Sequence, residues 1–149
     1  IQVKGPNVLK GYWRQPKKTR ESYSDGWFKT GDLGRYSEEE YVIICGRTRE
    51  LIITGGFNVY PQEVINCLTD HPAISEAAVV GVPDKARGEL VKAYVVVTDD
   101  GVSVEEVMDY CREHLASFKV PKSVVFTVKL PRNAMGKLQL QDLPDRDRL

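Results

Sequence analysis

Gly46-Arg47-Thr48-Arg49-Glu50-Leu51-Ile52-Ile53-Thr54-Gly55-Gly56-Phe57-Asn58-Val59-Tyr60-Pro61 is the stretch on which the reading of this chain turns. Charged Arg47, Arg49 and Glu50 run directly into Leu51-Ile52-Ile53. Charges resist burial, so Gly46–Glu50 reads as a joint between two packed units. The Gly55-Gly56 pair lies between two short apolar runs and predicts a tight hairpin, because glycine reaches positive φ without a steric penalty. Pro61 suits the first position of a helix that follows.

Downstream of the hairpin the hydrophobic pattern becomes regular. Val64, Ile65 and Leu68 form a helical stripe that ends near His71-Pro72. Ala77–Val82 is apolar throughout, and Val91, Ala93, Val95 and Val97 alternate over Val91–Thr98, so both read as strands. Asp99-Asp100-Gly101 predicts a turn. Ser103 and Glu106 make a capping box, and Val104, Val107, Met108, Cys111 and Leu115 keep helical spacing behind it. Lys122–Val128 reads as a last strand. The order strand, helix, strand, strand, helix, strand predicts an α+β domain of split-βαβ type.

Upstream the texture is different. Ile1–Lys4 alternates as a strand, Gln15–Ser24 suits a short helix, Asp25-Gly26 is a turn, and Tyr41–Cys45 is another strand. Residues 1–46 lack a long amphipathic helix and read as terminal β-strands of a larger body, because two or three strands without a packing face are marginal alone. The expected layout is therefore 1–46 as the end of a large domain, 47–50 as a hinge, 51–143 as a small domain, and 144–149 as a disordered tail.

Twenty-one Lys and Arg balance 21 Asp and Glu in 149 residues, so no net field draws the chain to nucleic acid or to an acidic membrane surface. No apolar run approaches the roughly 20 residues needed to cross a bilayer. Cys45, Cys67 and Cys111 are isolated, odd in number and flanked by apolar residues, which points to core thiols in a reducing, cytoplasmic compartment. Their spacing offers no metal site. Taken singly, the polar motifs carry little. Gly136-Lys137 lacks the upstream glycine pattern of a P-loop and has Leu138 where Ser or Thr would stand, so the lysine reads as a solvated loop residue. Asp32, after Thr30-Gly31, reads as a turn carboxylate, while His71 and His114 sit at helix ends, where the dipole favours them.

Together, three segments resemble one family. Gly26-Trp27-Phe28-Lys29-Thr30-Gly31-Asp32, then Gly46-Arg47-Thr48-Arg49 through Gly55-Gly56, then Leu130-Pro131-Arg132-Asn133-Ala134-Met135-Gly136-Lys137 follow the order seen in adenylate-forming enzymes. The wording is most similar to acyl-CoA synthetases, with the malonyl-CoA and fatty-acyl-CoA synthetases nearest. The resemblance implies an ATP-dependent acid–thiol ligase in which a carboxylate forms an acyl-adenylate and CoA then displaces AMP. It implies that Lys137 is catalytic, that Asp32 and Arg47 hold the nucleotide, that Arg49 is the hinge residue, and that Gly55, Gly56 and Arg87 border the passage for CoA. Magnesium and the acid pocket would come from a large N-terminal domain, so these 149 residues alone are expected to be inactive. Three positions depart from the usual pattern: Arg49 replaces a common Asp or Lys, Asn66 stands where Glu is usual, and no basic residue follows in Gln139–Gln141. Two other functions fit the same residues, a peptide-synthetase adenylation domain serving a carrier protein and a non-catalytic binding module.

Overall fold

A computed structural model describes residues 1–98 and 101–148. The chain forms two compact units, Ile1–Arg49 and Glu50–Leu149, so their boundary falls within the 47–50 stretch.

In the first unit, β1 (Gln2–Val3) and β2 (Tyr23–Ser24) flank β3 (Trp27–Lys29) in an antiparallel sheet. The short helix α1 (Pro16–Glu21) opens with proline at its first turn, as the Gln15–Ser24 segment predicts. A second antiparallel pair, β4 (Asp32–Tyr36) with β5 (Val42–Arg47), sets Asp32 opposite Arg47. Arg47 thus ends a strand, and Thr48–Glu50 forms a single 3-10 turn after it.

In the second unit, β6 (Ile52–Thr54) and β7 (Phe57–Val59) form the expected hairpin. Gly55 and Gly56 have φ of 56° and 83°, the pair of positive values that a two-residue type I′ turn demands. Helix α2 (Pro61–Thr69) follows, then the long antiparallel ribbon of β8 (Ile74–Asp84) and β9 (Gly88–Val97), helix α3 (Val104–His114) and β10 (Ser123–Phe126). Gly88 pairs with Asp84 on one side and with Thr54 on the other. Strands β6 and β8 therefore lie parallel with β9 between them, joined through α2, which is the split arrangement. Strand β10 runs parallel beside β9 over Lys92–Val95. Ser103 Oγ accepts the Glu106 N–H and caps α3.

The middle of the ribbon is buried on both faces, which explains the apolar run Ala77–Val82. Ala77, Val79, Val91, Ala93 and Val95 meet the helices through Val64, Leu68, Val107 and Cys111. Ala78, Val80, Val82 and Tyr94 point the other way, onto Leu130 and Leu143. That second layer corrects the expectation of a disordered tail for 144–148. The Tyr94 hydroxyl donates to the Pro144 carbonyl at 2.7 Å, and Lys92 Nζ donates to the carbonyls of Asp145 and Arg148. Lys92 is only 2% exposed, and a buried ammonium needs such acceptors, so burial of the ribbon's second face orders a segment whose own sequence is polar. Leu149 and the Asp99-Asp100 part of the predicted turn lie outside the described residues. Cysteines 67 and 111 are buried as expected, whereas Cys45, on β5, is only half-buried.

Candidate functional site

Three groups of polar residues take shape, one in the first unit and two in the second. In the first unit the β4–β5 register brings Asp32 and Arg47 together: Arg47 Nε lies 2.9 Å from Asp32 Oδ1. The Asp32 side chain is 23% exposed and the Arg47 side chain 52%, so the pair is open to a ligand. Thr30 Oγ1 accepts the Asp32 N–H at 3.0 Å, and the Thr48 N–H donates to the Gly31 carbonyl at 2.8 Å. The Thr30-Gly31-Asp32 corner is thereby tied to the start of the 3-10 turn that carries Arg49.

In the second unit Lys137 sits exposed at the end of a tight turn. Asn133 builds that turn. Its Oδ1 accepts the N–H groups of Met135 (3.0 Å) and Lys137 (2.9 Å), and its backbone carbonyl accepts the Gly136 N–H at 2.9 Å. Gly136 supplies the positive φ of 78°. Arg132 and Leu138 pair across the stem, and the Gln139 N–H donates to the Pro131 carbonyl at 2.8 Å. The stem is rooted by Leu130, Leu138 and Leu140 in the second apolar layer. At the tip, Met135 is 87% exposed.

The third group surrounds the Gly55-Gly56 hairpin. A groove of about 470 Å³ is lined by Thr54, Gly55, Phe57, Arg87, Ser117, Phe118 and Lys122. The Gly55 N–H donates to the Arg87 carbonyl at 2.8 Å, and the Ile53 N–H donates to Glu89 Oε2 at 2.8 Å, which locks the hairpin to the start of β9. Gly88 allows this contact, for its φ is 81° and an added Cβ would lie 3.3 Å from the Ile53 carbonyl oxygen. Phe57 and Phe118 stack at 4.6 Å along the groove, beside the two cations.

The thiols of Cys67 and Cys111 face each other between α2 and α3. Burial is the largest influence on both, pushing Cys111 up to about 12 and raising Cys67 as well. Such thiols stay protonated and serve packing rather than nucleophilic chemistry. Among the described residues no group of three or more His, Cys, Asp or Glu is placed to hold a metal ion, and no helix is long and apolar enough to cross a membrane.

Residues 63–137 match the model of the AMP-binding enzyme C-terminal domain, from the first turn of α2 to Lys137 itself. The chain belongs to that family. Arg87 and Lys137 fall inside the matched part of this AMP-binding C-terminal domain, while Asp32, Arg47, Arg49, Gly55 and Gly56 precede it. Its relatives include CoA ligases. The chain is 46% identical over 143 residues to a 2-succinylbenzoate–CoA ligase of Bacillus licheniformis, covering 96% of this chain and 30% of that protein. It is 47% identical over 139 residues to a long-chain-fatty-acid–CoA ligase of Bacillus subtilis, covering 93% and 25%. Among solved structures, the ATP-bound MatB of Rhodopseudomonas palustris superimposes with a TM-score of 0.87 at 48% identity, over 97% of this chain and 29% of that one. The chain thus spans less than a third of the length of these relatives.

Of the residues singled out from sequence, Asp32 and Arg47 are in contact, Gly55 and Arg87 share a groove, and Lys137 stands apart on its own turn. Sequence reading missed Phe57, Phe118 and Lys122 in the groove, and Asn133 as the organiser of the Lys137 turn. Only Asn133 carried a local signal, since an Asn two to four residues before Gly-Lys suits an Asx-type turn.

Proposed function

We propose that the chain is the C-terminal part of an AMP-forming acid–thiol ligase, an acyl-CoA synthetase. The whole enzyme would activate a carboxylic acid with ATP and pass the acyl group to CoA. One observation carries the reading. The Lys137 turn is attached near Glu76, and the Gly55-Gly56 hairpin is attached at Gly88, the opposite end of the β8–β9 ladder. Asp84, the partner of Gly88, lies eight residue steps along the strand from Glu76, which at the ordinary strand rise is about 26 Å. One reaction centre cannot receive both loops at once, so a two-step reaction served by turning the small domain makes use of both.

In the first step a carboxylate oxygen attacks the α-phosphorus of ATP and pyrophosphate leaves. Negative charge grows on the phosphoryl oxygens, and the Lys137 ammonium stabilises it. Asp32 accepts hydrogen bonds from the ribose hydroxyls, and Arg47, already on Asp32 Oδ1, orients that carboxylate and reaches the nucleotide. In the second step the CoA thiol attacks the acyl carbon and AMP leaves. Rotation about Arg49 brings up the groove, where bare Gly55 and Gly56 let the pantetheine arm pass and Arg87 meets a phosphate of CoA. The acid pocket and the magnesium site belong to a large N-terminal domain, and the enzyme works in the cytoplasm. Malonate, 2-succinylbenzoate and fatty acids are the candidate acid classes, by likeness to the relatives.

The test is AMP release by the full-length protein across malonate and short, medium, long and aromatic acids, with and without CoA. Acid-dependent AMP release that rises when CoA is added is expected. Release that ignores CoA in favour of a carrier protein overturns the thiol assignment. The isolated 149 residues are expected to catalyse no ATP–pyrophosphate exchange, and measurable exchange would overturn their dependence on the large domain.

A further inference from the structure

The Lys137 turn is rooted by its leucines and shaped by Asn133, and one further side chain ties the backbone beside Lys137 directly to the sheet. That residue is Arg132. Its Nη1 donates to the Gly136 carbonyl at 3.0 Å, one residue before Lys137, and its Nη2 pairs with Glu76 Oε2 on β8. A single planar guanidinium therefore links the backbone beside Lys137 to the ribbon, with both contacts fixed by its fork geometry. Lysine, with one ammonium on a flexible stem, cannot hold both partners in that geometry. Both side chains remain nearly half exposed, 46% for Arg132 and 43% for Glu76. Exposed ion pairs add little to stability. A contact that contributes little to folding and yet holds the loop bearing a reactive lysine is explained better by positioning than by architecture.

We propose that Arg132, clamped by Glu76, is a positioning residue that aims Lys137 for adenylate formation and has no part in thioester transfer. The inference rests on the proposed role of Lys137. A displacement of about 1 Å at a reacting group costs on the order of 100-fold, and a loop that keeps its Asn133 bonds should lose less.

The experiment uses the full-length enzyme with Arg132→Ala, Arg132→Lys, Glu76→Gln and, as reference, Lys137→Ala. The two half-reactions are measured separately: acid-dependent adenylate formation at saturating ATP, and thioester formation from supplied acyl-adenylate and CoA. Arg132→Ala is expected to lower kcat for adenylate formation roughly 10- to 100-fold. KM for ATP should change little, and the thioester step and the melting temperature should stay as in the parent enzyme. Arg132→Lys, keeping the charge without the fork, should recover only part of the loss, and Glu76→Gln should lose less than Arg132→Ala. Normal adenylate formation in Arg132→Ala, with Lys137→Ala impaired, overturns the positioning role alone. Equal loss in both half-reactions, or a lowered melting temperature that accounts for it, makes Arg132 structural and also overturns it. Unimpaired adenylate formation in Lys137→Ala overturns the parent reading instead.

Discussion

The two polar turns of the second unit are built in opposite ways. The Lys137 turn is held by side chains: Asn133 Oδ1 takes two backbone N–H groups, and Arg132 bridges Gly136 to Glu76. The Gly55-Gly56 turn is shaped by positive φ at both glycines and tied to β9 through the Arg87 carbonyl and the Glu89 carboxylate. A loop that delivers one side chain needs that side chain aimed, and aiming takes directional bonds from neighbours. A loop whose backbone lines a passage needs side chains kept away, and glycine does that without further help. At both glycines the space a Cβ would enter is open, so the absence of side chains there is not forced by packing within the unit.

Lys137→Ala is the hardest blow to this contrast. In the full-length enzyme it should lower adenylate formation by roughly 10²–10³-fold or more, the scale of one lost transition-state contact. Thioester formation from supplied acyl-adenylate should be nearly unchanged. Equal losses in the two half-reactions would erase the distinction between the turns.

Gly56→Val reverses the profile. A β-branched residue at φ of 83° is strained, and its branches would stand in the proposed thiol passage. Thioester formation should fall by about tenfold or more, equivalent to about 1.4 kcal/mol in the barrier, while adenylate formation is spared. Stopped-flow measurement of each half-reaction, with thermal melting to monitor the hairpin, checks this. Adenylate formation falling in parallel would mean that the hairpin serves both poses.

How much of this was legible in the sequence follows from the range of the forces involved. The hairpin at Gly55-Gly56, the proline start of α2 and the Ser103 cap of α3 are local, and each was readable from a few adjacent residues. The strands themselves showed, β8 in the apolar run Ala77–Val82 and β9 in the single face of Val91, Ala93, Val95 and Val97. What covers the second face did not, because Pro144–Arg148 reads as a polar tail until Tyr94 and Lys92 supply partners about 50 residues away in sequence. The groove was hidden for a similar reason: Phe57 and Phe118 lie on opposite sides of two helices in sequence, and only the sheet brings them into a stack. Asp32 and Arg47 were named from a family resemblance, and their contact depends on a strand pairing, β4 with β5, of which only β5 was anticipated.

The smallest expected effect concerns the helix layer, on the opposite face of the ribbon from the leucines that root the Lys137 turn. Cys111 is buried against Cys67 under the ribbon, and its thiol is pushed from 9.0 up to about 12, chiefly by loss of solvent. In the unfolded chain that thiol ionises near its ordinary value, while in the folded chain it stays neutral. The unfolded state therefore binds fewer protons above pH 9, and stability falls as pH rises. The contribution is complete below about pH 9 and is lost progressively toward pH 12, with Cys67, also raised, adding in the same direction. Chemical denaturation of the full-length enzyme at pH 7 to 10.5 should show this decline, and Cys111→Ala should flatten it while lowering stability at neutral pH through the small cavity it leaves. Because α2 and α3 support both ends of the β8–β9 ladder, destabilisation there should reduce the two half-reactions together. A selective loss of either one in Cys111→Ala would mean that the helix layer is coupled to a single turn, and the two ends of the ribbon would no longer count as independent.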